Sequence, residues 1–75
     1  MTEYSVCVEY DGFSPEFDDK LRKAIGRFPS GSGFGLGRRD MDWYTNTEAR
    51  AKKLAVKLRA VRGKRKTVTI HKVEY

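Results

Sequence analysis

One cysteine, Cys7, stands among the 75 residues. No internal disulfide can form, and a metal site built from cysteines alone is excluded. One Cys and one His, His71, cannot by themselves complete a tetrahedral zinc site. Neither a metal nor a cofactor is expected. A chain so poor in cysteine suits a reducing, cytoplasmic compartment. No apolar run approaches the ~20 residues of a membrane span, so no membrane partner is expected. The first residues, MTEYSVCVEY, show no basic region followed by an apolar one, and a signal peptide is not expected. There is no internal repeat, no low-complexity tail and no linker, which points to one domain over residues 1–75. A domain of this size buries only roughly 60% of its unfolded surface.

Acid is missing from one long stretch. Residues 49–66 hold nine Lys and Arg and no Asp or Glu. Residues 1–37 carry six acids against four bases, −2, and residues 38–75 carry twelve bases against four acids, +8, which together make the net +6. Such asymmetry favours an anionic partner: nucleic acid, or an acidic protein surface.

What is present reads as short, regular elements. In EYSVCVEY, residues 3–10, Tyr4, Val6, Val8 and Tyr10 alternate with Ser5, Cys7 and Glu9, the pattern of a half-buried strand. Ser14-Pro15-Glu16 opens a helix, with Ser14 as N-cap and Pro15 in the first turn. Phe17, Leu21, Ala24, Ile25 and Phe28 form its apolar stripe, and Pro29 ends it. Residues 32–36 and 40–45 are expected to be the two strands of a hairpin. A type II′ turn at Gly37-Arg38 pairs Phe34 with Met41; a loop at Arg38-Arg39 pairs Phe34 with Trp43. Thr45 or Thr47 caps a second helix from about Glu48 to Arg62, with Ala51, Leu54, Ala55, Leu58 and Val61 inward and Gly63 as its stop. TVTIHKVEY closes the chain as an alternating strand.

The order β-α-β-β-α-β predicts an α+β, ferredoxin-like fold: a four-stranded antiparallel sheet with two helices on one face and the spatial order 4-1-3-2. The expected core is Val6, Val8, Phe34, Leu36, Met41, Trp43, Val68 and Ile70 under the two helix stripes.

The stretch GSGFGLG, residues 31–37, raises a separate question. A dinucleotide fingerprint needs its glycines after a strand and before a helix, and a Walker loop ends in Gly-Lys-Ser/Thr. Here the glycines alternate, follow a helix and lead into Arg38-Arg39. GFGL echoes the aromatic pattern of an RNA-recognition strand but falls on the second strand instead of the third. Four glycines on one strand face cost roughly 0.5–1 kcal/mol each against Ala, so the row needs a reason. Either Tyr44 lies across Gly31 or Gly33, or a partner approaches the flat edge at Gly33 and Gly35.

Cys7 and His71 share the face away from the helices, but an open sheet offers little pocket for nucleophilic catalysis, and no enzyme is expected. Asp40 and Asp42 share a strand face, the arrangement of a divalent-cation site, but no metal site is expected there. Tyr4, Tyr10 and Tyr75 are candidates to stack bases. The candidate nucleic-acid-binding residues are Arg38, Arg39, Lys52, Lys53, Arg59, Arg62, Lys64, Arg65 and Lys66, contacting phosphates with weak sequence preference. Val56, a small apolar residue inside this basic frame, and the edge at Gly33 and Gly35 support the alternative: a protein-interaction module or small inhibitor docking on an acidic surface of a larger complex. A sheet-to-sheet homodimer covering Thr69, His71 and Val73 would also account for the bare glycine face.

Overall fold

The alternation of β1 (Thr2–Asp11) sends Val6, Val8 and Tyr10 into the core and leaves Glu9 and Asp11 exposed. The computed structural model describes residues 2–74 and continues with α1 (Pro15–Ile25), β2 (Gly31–Gly35), β3 (Arg38–Thr45), α2 (Glu48–Ala60) and β4 (Lys66–Glu74). Tyr75 lies outside the described residues. The fold is α+β, with four antiparallel strands in one sheet, ordered β2-β3-β1-β4, and two helices. Phe17 and Leu21 of α1 and Ala51, Ala55 and Leu58 of α2 meet Val6, Val8, Tyr10, Met41 and Trp43 in one cluster. Both helices therefore cover the same sheet face.

Local chemistry explains the helix starts. The Ser14 hydroxyl accepts from the Phe17 N–H, with Pro15 in the first turn, and the Thr47 hydroxyl accepts from the Arg50 N–H. Thr47, not Thr45, is the cap of α2. The helix ends differ from expectation. Gly26 adopts φ 88, and its N–H donates to the Arg22 carbonyl, so α1 stops a turn before Pro29. Phe28 is consequently outside the helix and 73% exposed. α2 ends at Ala60; Val61 turns extended and caps it, so Gly63 lies beyond the stop.

Aromatic residues tie the layers together. Tyr10 meets Phe17 edge-on at 4.9 Å, and its hydroxyl donates to Asp18 and contacts the Ser14 carbonyl. Burial and the Asp18 carboxylate raise the Tyr10 pKa. Tyr10 is thus a core residue and unavailable for stacking. Trp43 is fully buried, with its indole N–H donating to the Arg27 carbonyl at 3.1 Å.

The hairpin departs from both expected registers. Its central residues are Leu36 and Gly37, with φ 53 and 76, the pattern of a type I′ turn. Gly35 pairs with Arg38, Phe34 with Arg39 and Ser32 with Met41. The difference is an even number of residues, so the faces are as expected: Ser32 and Phe34 on the helix side, glycines on the other. Burial is not as expected. Phe34 is 55% exposed because β2 is an edge strand, and Leu36 is fully exposed because it stands in the turn beyond the end of β2. Val68 and Ile70, on the opposite edge strand, are only partly buried against the core.

Candidate nucleic-acid interface

The two sides of the molecule carry different charge. The pairings put Glu3, Ser5, Cys7, Glu9 and Asp11 of β1 on the face away from the helices. Beside them stand Arg38, Asp40, Asp42 and Tyr44 of β3 and Thr67, Thr69, His71 and Val73 of β4. Five carboxylates thus share this face with one Arg. Arg38 is engaged there, 2.7 Å from Asp11 and 3.5 Å from Glu9.

The glycine row faces these acids. A Cβ on Gly31 would stand 2.7 Å from an Asp42 carboxylate oxygen, and one on Gly33 would stand 2.8 Å from Asp40. The aspartates, not Tyr44, lie over the bare backbone. Ser5 Oγ adds a long contact of 3.4 Å to Asp42. Burial first, then Glu9, Asp40 and Asp42, push the Cys7 thiol up to about 11. The thiol keeps its proton at neutral pH, the opposite of an activated nucleophile. His71 sits two residues along β4 from the position opposite Cys7, with its Nε2 3.2 Å from Thr69 Oγ1. Among the described residues no three His, Cys, Asp or Glu side chains converge as a metal site.

The expected basic set divides when placed in space. Arg39 is an internal residue. Its guanidinium bonds Asp18 at 2.9 Å and the Gly33 carbonyl at 3.3 Å, and it stacks on Phe13 at 4.9 Å. Lys66 is internal too: its ammonium donates to the Val61 carbonyl at 2.5 Å and the Arg59 carbonyl at 3.3 Å, closing the end of α2. The Arg38-Arg39 tip is therefore not a free basic loop. Lys52 pairs with Glu48 one turn back at 3.3 Å, and Arg59 makes a 3.5 Å contact to the Val68 carbonyl. Lys53, Arg62, Lys64 and Arg65 are exposed. Val56 is 64% exposed on α2, and nothing lies within 4 Å of a Cβ built on Gly35.

The structure adds a site that the linear run of bases did not reveal. An open groove of about 460 Å³ lies between α2, the end of β3 and the α1–β2 connection. Arg50, Lys53 and Lys57, at spacing i, i+3 and i+7, form one wall, and Arg27 and Tyr44 lie across from them. Half-buried Leu54 also lines it, with Thr45 and Asn46 at the start of α2, and no acid lines it. Arg27 is held at both ends. Its carbonyl accepts from Trp43, and its guanidinium donates to the Tyr44 carbonyl at 2.6 Å. The exposed start of α2 adds the positive end of its dipole. Glu3 borders Tyr44 and Asn46 from the sheet side and marks where the acidic face begins. Arg27 lies far from the 49–66 run in sequence, and its contacts to Trp43 and Tyr44 bring it there.

A third surface is apolar. Phe13 and Phe34 meet edge-on at 5.6 Å, both about half exposed, beside fully exposed Leu36. No helix of the described residues is long and apolar enough to cross a membrane. Comparison with known proteins adds no relative: no family model, no curated protein and no solved structure matches the chain.

Proposed function

We propose that the protein is a non-enzymatic, cytoplasmic nucleic-acid-binding domain of ferredoxin-like type. It holds phosphates with α2, the groove beside it and the basic turn that follows. The observation that carries this reading is the convergence of Arg27, Arg50, Lys53 and Lys57 on one groove that no acid lines. Arg62, Lys64 and Arg65 extend the positive surface beyond the helix end. The paired strand positions of Glu3, Glu9, Asp11, Asp40 and Asp42 gather half of the ten acids on the open sheet face, away from the groove, so phosphate is attracted to one side and repelled by the other. The same acids disfavour a sheet-to-sheet homodimer, which would bring like charges together.

The test is binding of random-sequence DNA and RNA across a salt series. Affinity is expected to fall linearly on a log–log plot, with a slope that counts the phosphates neutralised. Absence of binding at low salt overturns the reading. The second reading, docking on an acidic protein, draws on the exposed Phe13, Phe34 and Leu36 beside edge strand β2. It would show as partner binding that survives neutralisation of α2 and is lost in Gly35→Val, which adds a branched side chain to that edge.

A further inference from the structure

The basic groove has two walls, and that shape bears on which form of nucleic acid enters it. We infer that it seats a single strand, with phosphodiesters held between Arg27 and the α2 wall and a base laid against Tyr44; this rests on the phosphate-binding reading above. Cations stand on both sides of the groove, Arg27 on one and Arg50, Lys53 and Lys57 on the other. A duplex presents a broad convex surface and would touch the crests of such walls, whereas one backbone can lie between them. Leu54 gives the lining an apolar component that suits a sugar or base edge better than a second charged backbone.

Tyr44 is the second observation. Its side chain projects from the open sheet face at the end of β3, opposite Ser5, and is 40% exposed; the residue borders both the basic groove and the hollow beside Glu3. Arg27 Nη2 and Ser30 Oγ bind its backbone carbonyl and N–H, so the main chain that carries the ring is fixed before any ligand arrives. An aromatic on a fixed backbone beside cations is the arrangement of single-strand stacking platforms, and it tolerates any base. The acidic face beyond Glu3 limits the path, so the strand runs along α2 toward Arg62 and Lys64 and not across the open sheet.

The experiment uses a short labelled oligothymidylate and a duplex of equal length, each titrated with the intact protein at several salt concentrations. The single strand is expected to bind about tenfold more tightly or better. Tyr44→Ala is expected to weaken it by roughly 5- to 100-fold, the range of one base stack, while Tyr44→Phe stays within about twofold. Arg27→Ala is expected to reduce the salt slope by about 0.7, one phosphate contact. Thermal melting checks each fold, and Arg27→Ala serves if Tyr44→Ala fails to fold. Equal affinity for duplex and strand, with Tyr44→Ala and Arg27→Ala silent but Lys64→Ala weakening both, would leave phosphate binding standing and overturn the groove. No binding of either nucleic acid at low salt would overturn both.

Discussion

The open sheet face and the α2 groove are built from the same kinds of short strand and helix, yet they treat charge in opposite ways. On the sheet face the carboxylates of Asp40 and Asp42 lie over glycines, and Arg38 is drawn into pairs with Glu9 and Asp11. In the groove, Arg27 and Arg50 spend one hydrogen bond each on neutral oxygens, the Tyr44 carbonyl and the Asn46 amide, and keep the rest of their donors free. A cation paired with a carboxylate is locally neutral and has little to offer a ligand. One held by a neutral acceptor is positioned and still charged. Counting bases along the chain merges these two cases, and the difference between them is what selects a site.

The strongest way to break this contrast is to reverse it. Lys53→Glu with Lys57→Glu puts two acids on the groove wall. Affinity for nucleic acid is expected to fall by about 100-fold or more, and removing the two contacts should take about 1.4 from a single-strand salt slope. Asp40→Asn with Asp42→Asn on the sheet face should leave affinity unchanged or slightly improved, because those groups only repel at a distance and are screened. Electrophoretic or anisotropy titrations at two salt concentrations read both variants. A larger loss from the aspartate pair than from the lysine pair would show the sheet face to be the interface.

Much of the framework was legible in the residues. Alternation in β1 and β3 placed Val6, Val8, Met41 and Trp43 inward, and Ser14-Pro15 marked the start of α1, since these signals depend only on neighbours in the chain. The hairpin register was not legible. Glycines at 31, 33, 35 and 37 give no side-chain pattern to fix where the chain turns, and the turn uses Leu36 at positive φ, against its preference. The site was legible only as a region. Lys53 and the 62–65 turn are exposed as read, but Arg39 and Lys66 are engaged by Asp18 and by the carbonyls that end α2, partners that only the tertiary fold supplies. Arg27 was missed for the same reason in reverse.

The contrast between internal and free cations gives two smaller predictions. Arg39 and Asp18 form a pair with side chains 15% and 14% exposed. Arg39→Ala is expected to destabilise the fold by about 2 kcal/mol, since it leaves Asp18 without its charged partner. Arg38→Ala, on the solvated sheet face, should cost under about 1 kcal/mol. Urea unfolding of the two variants gives the ranking, and neither should change nucleic-acid affinity as the lysine pair does. In the hairpin turn that precedes them, Leu36→Asn relieves an unfavourable backbone and completes an Asn-Gly turn, with an expected gain of about 1 kcal/mol in the same assay.

The finest probe of the acidic face is Cys7. Its thiol is pushed up to about 11, first by burial and then by Glu9, Asp40 and Asp42, against an ordinary value of 9.0. The sign follows from where each state ionises. Below pH 9 both folded and unfolded chains keep the proton, and the thiol favours neither. Between about 9 and 11 the unfolded chain ionises while the folded one does not, so the wild type should lose stability relative to Cys7→Ser as pH rises through that window. Alkylation reads the same shift. At pH 8 the native thiol should react about a hundredfold more slowly than an ordinary cysteine, in proportion to its thiolate fraction. Asp40→Asn with Asp42→Asn should speed the reaction while leaving it slower than in unfolded protein, because burial is the larger cause and remains. A double variant reacting no faster than the native protein would mean that the carboxylates over the glycines exert no field on the sheet face, and the opposition between the two sides would rest on the groove alone.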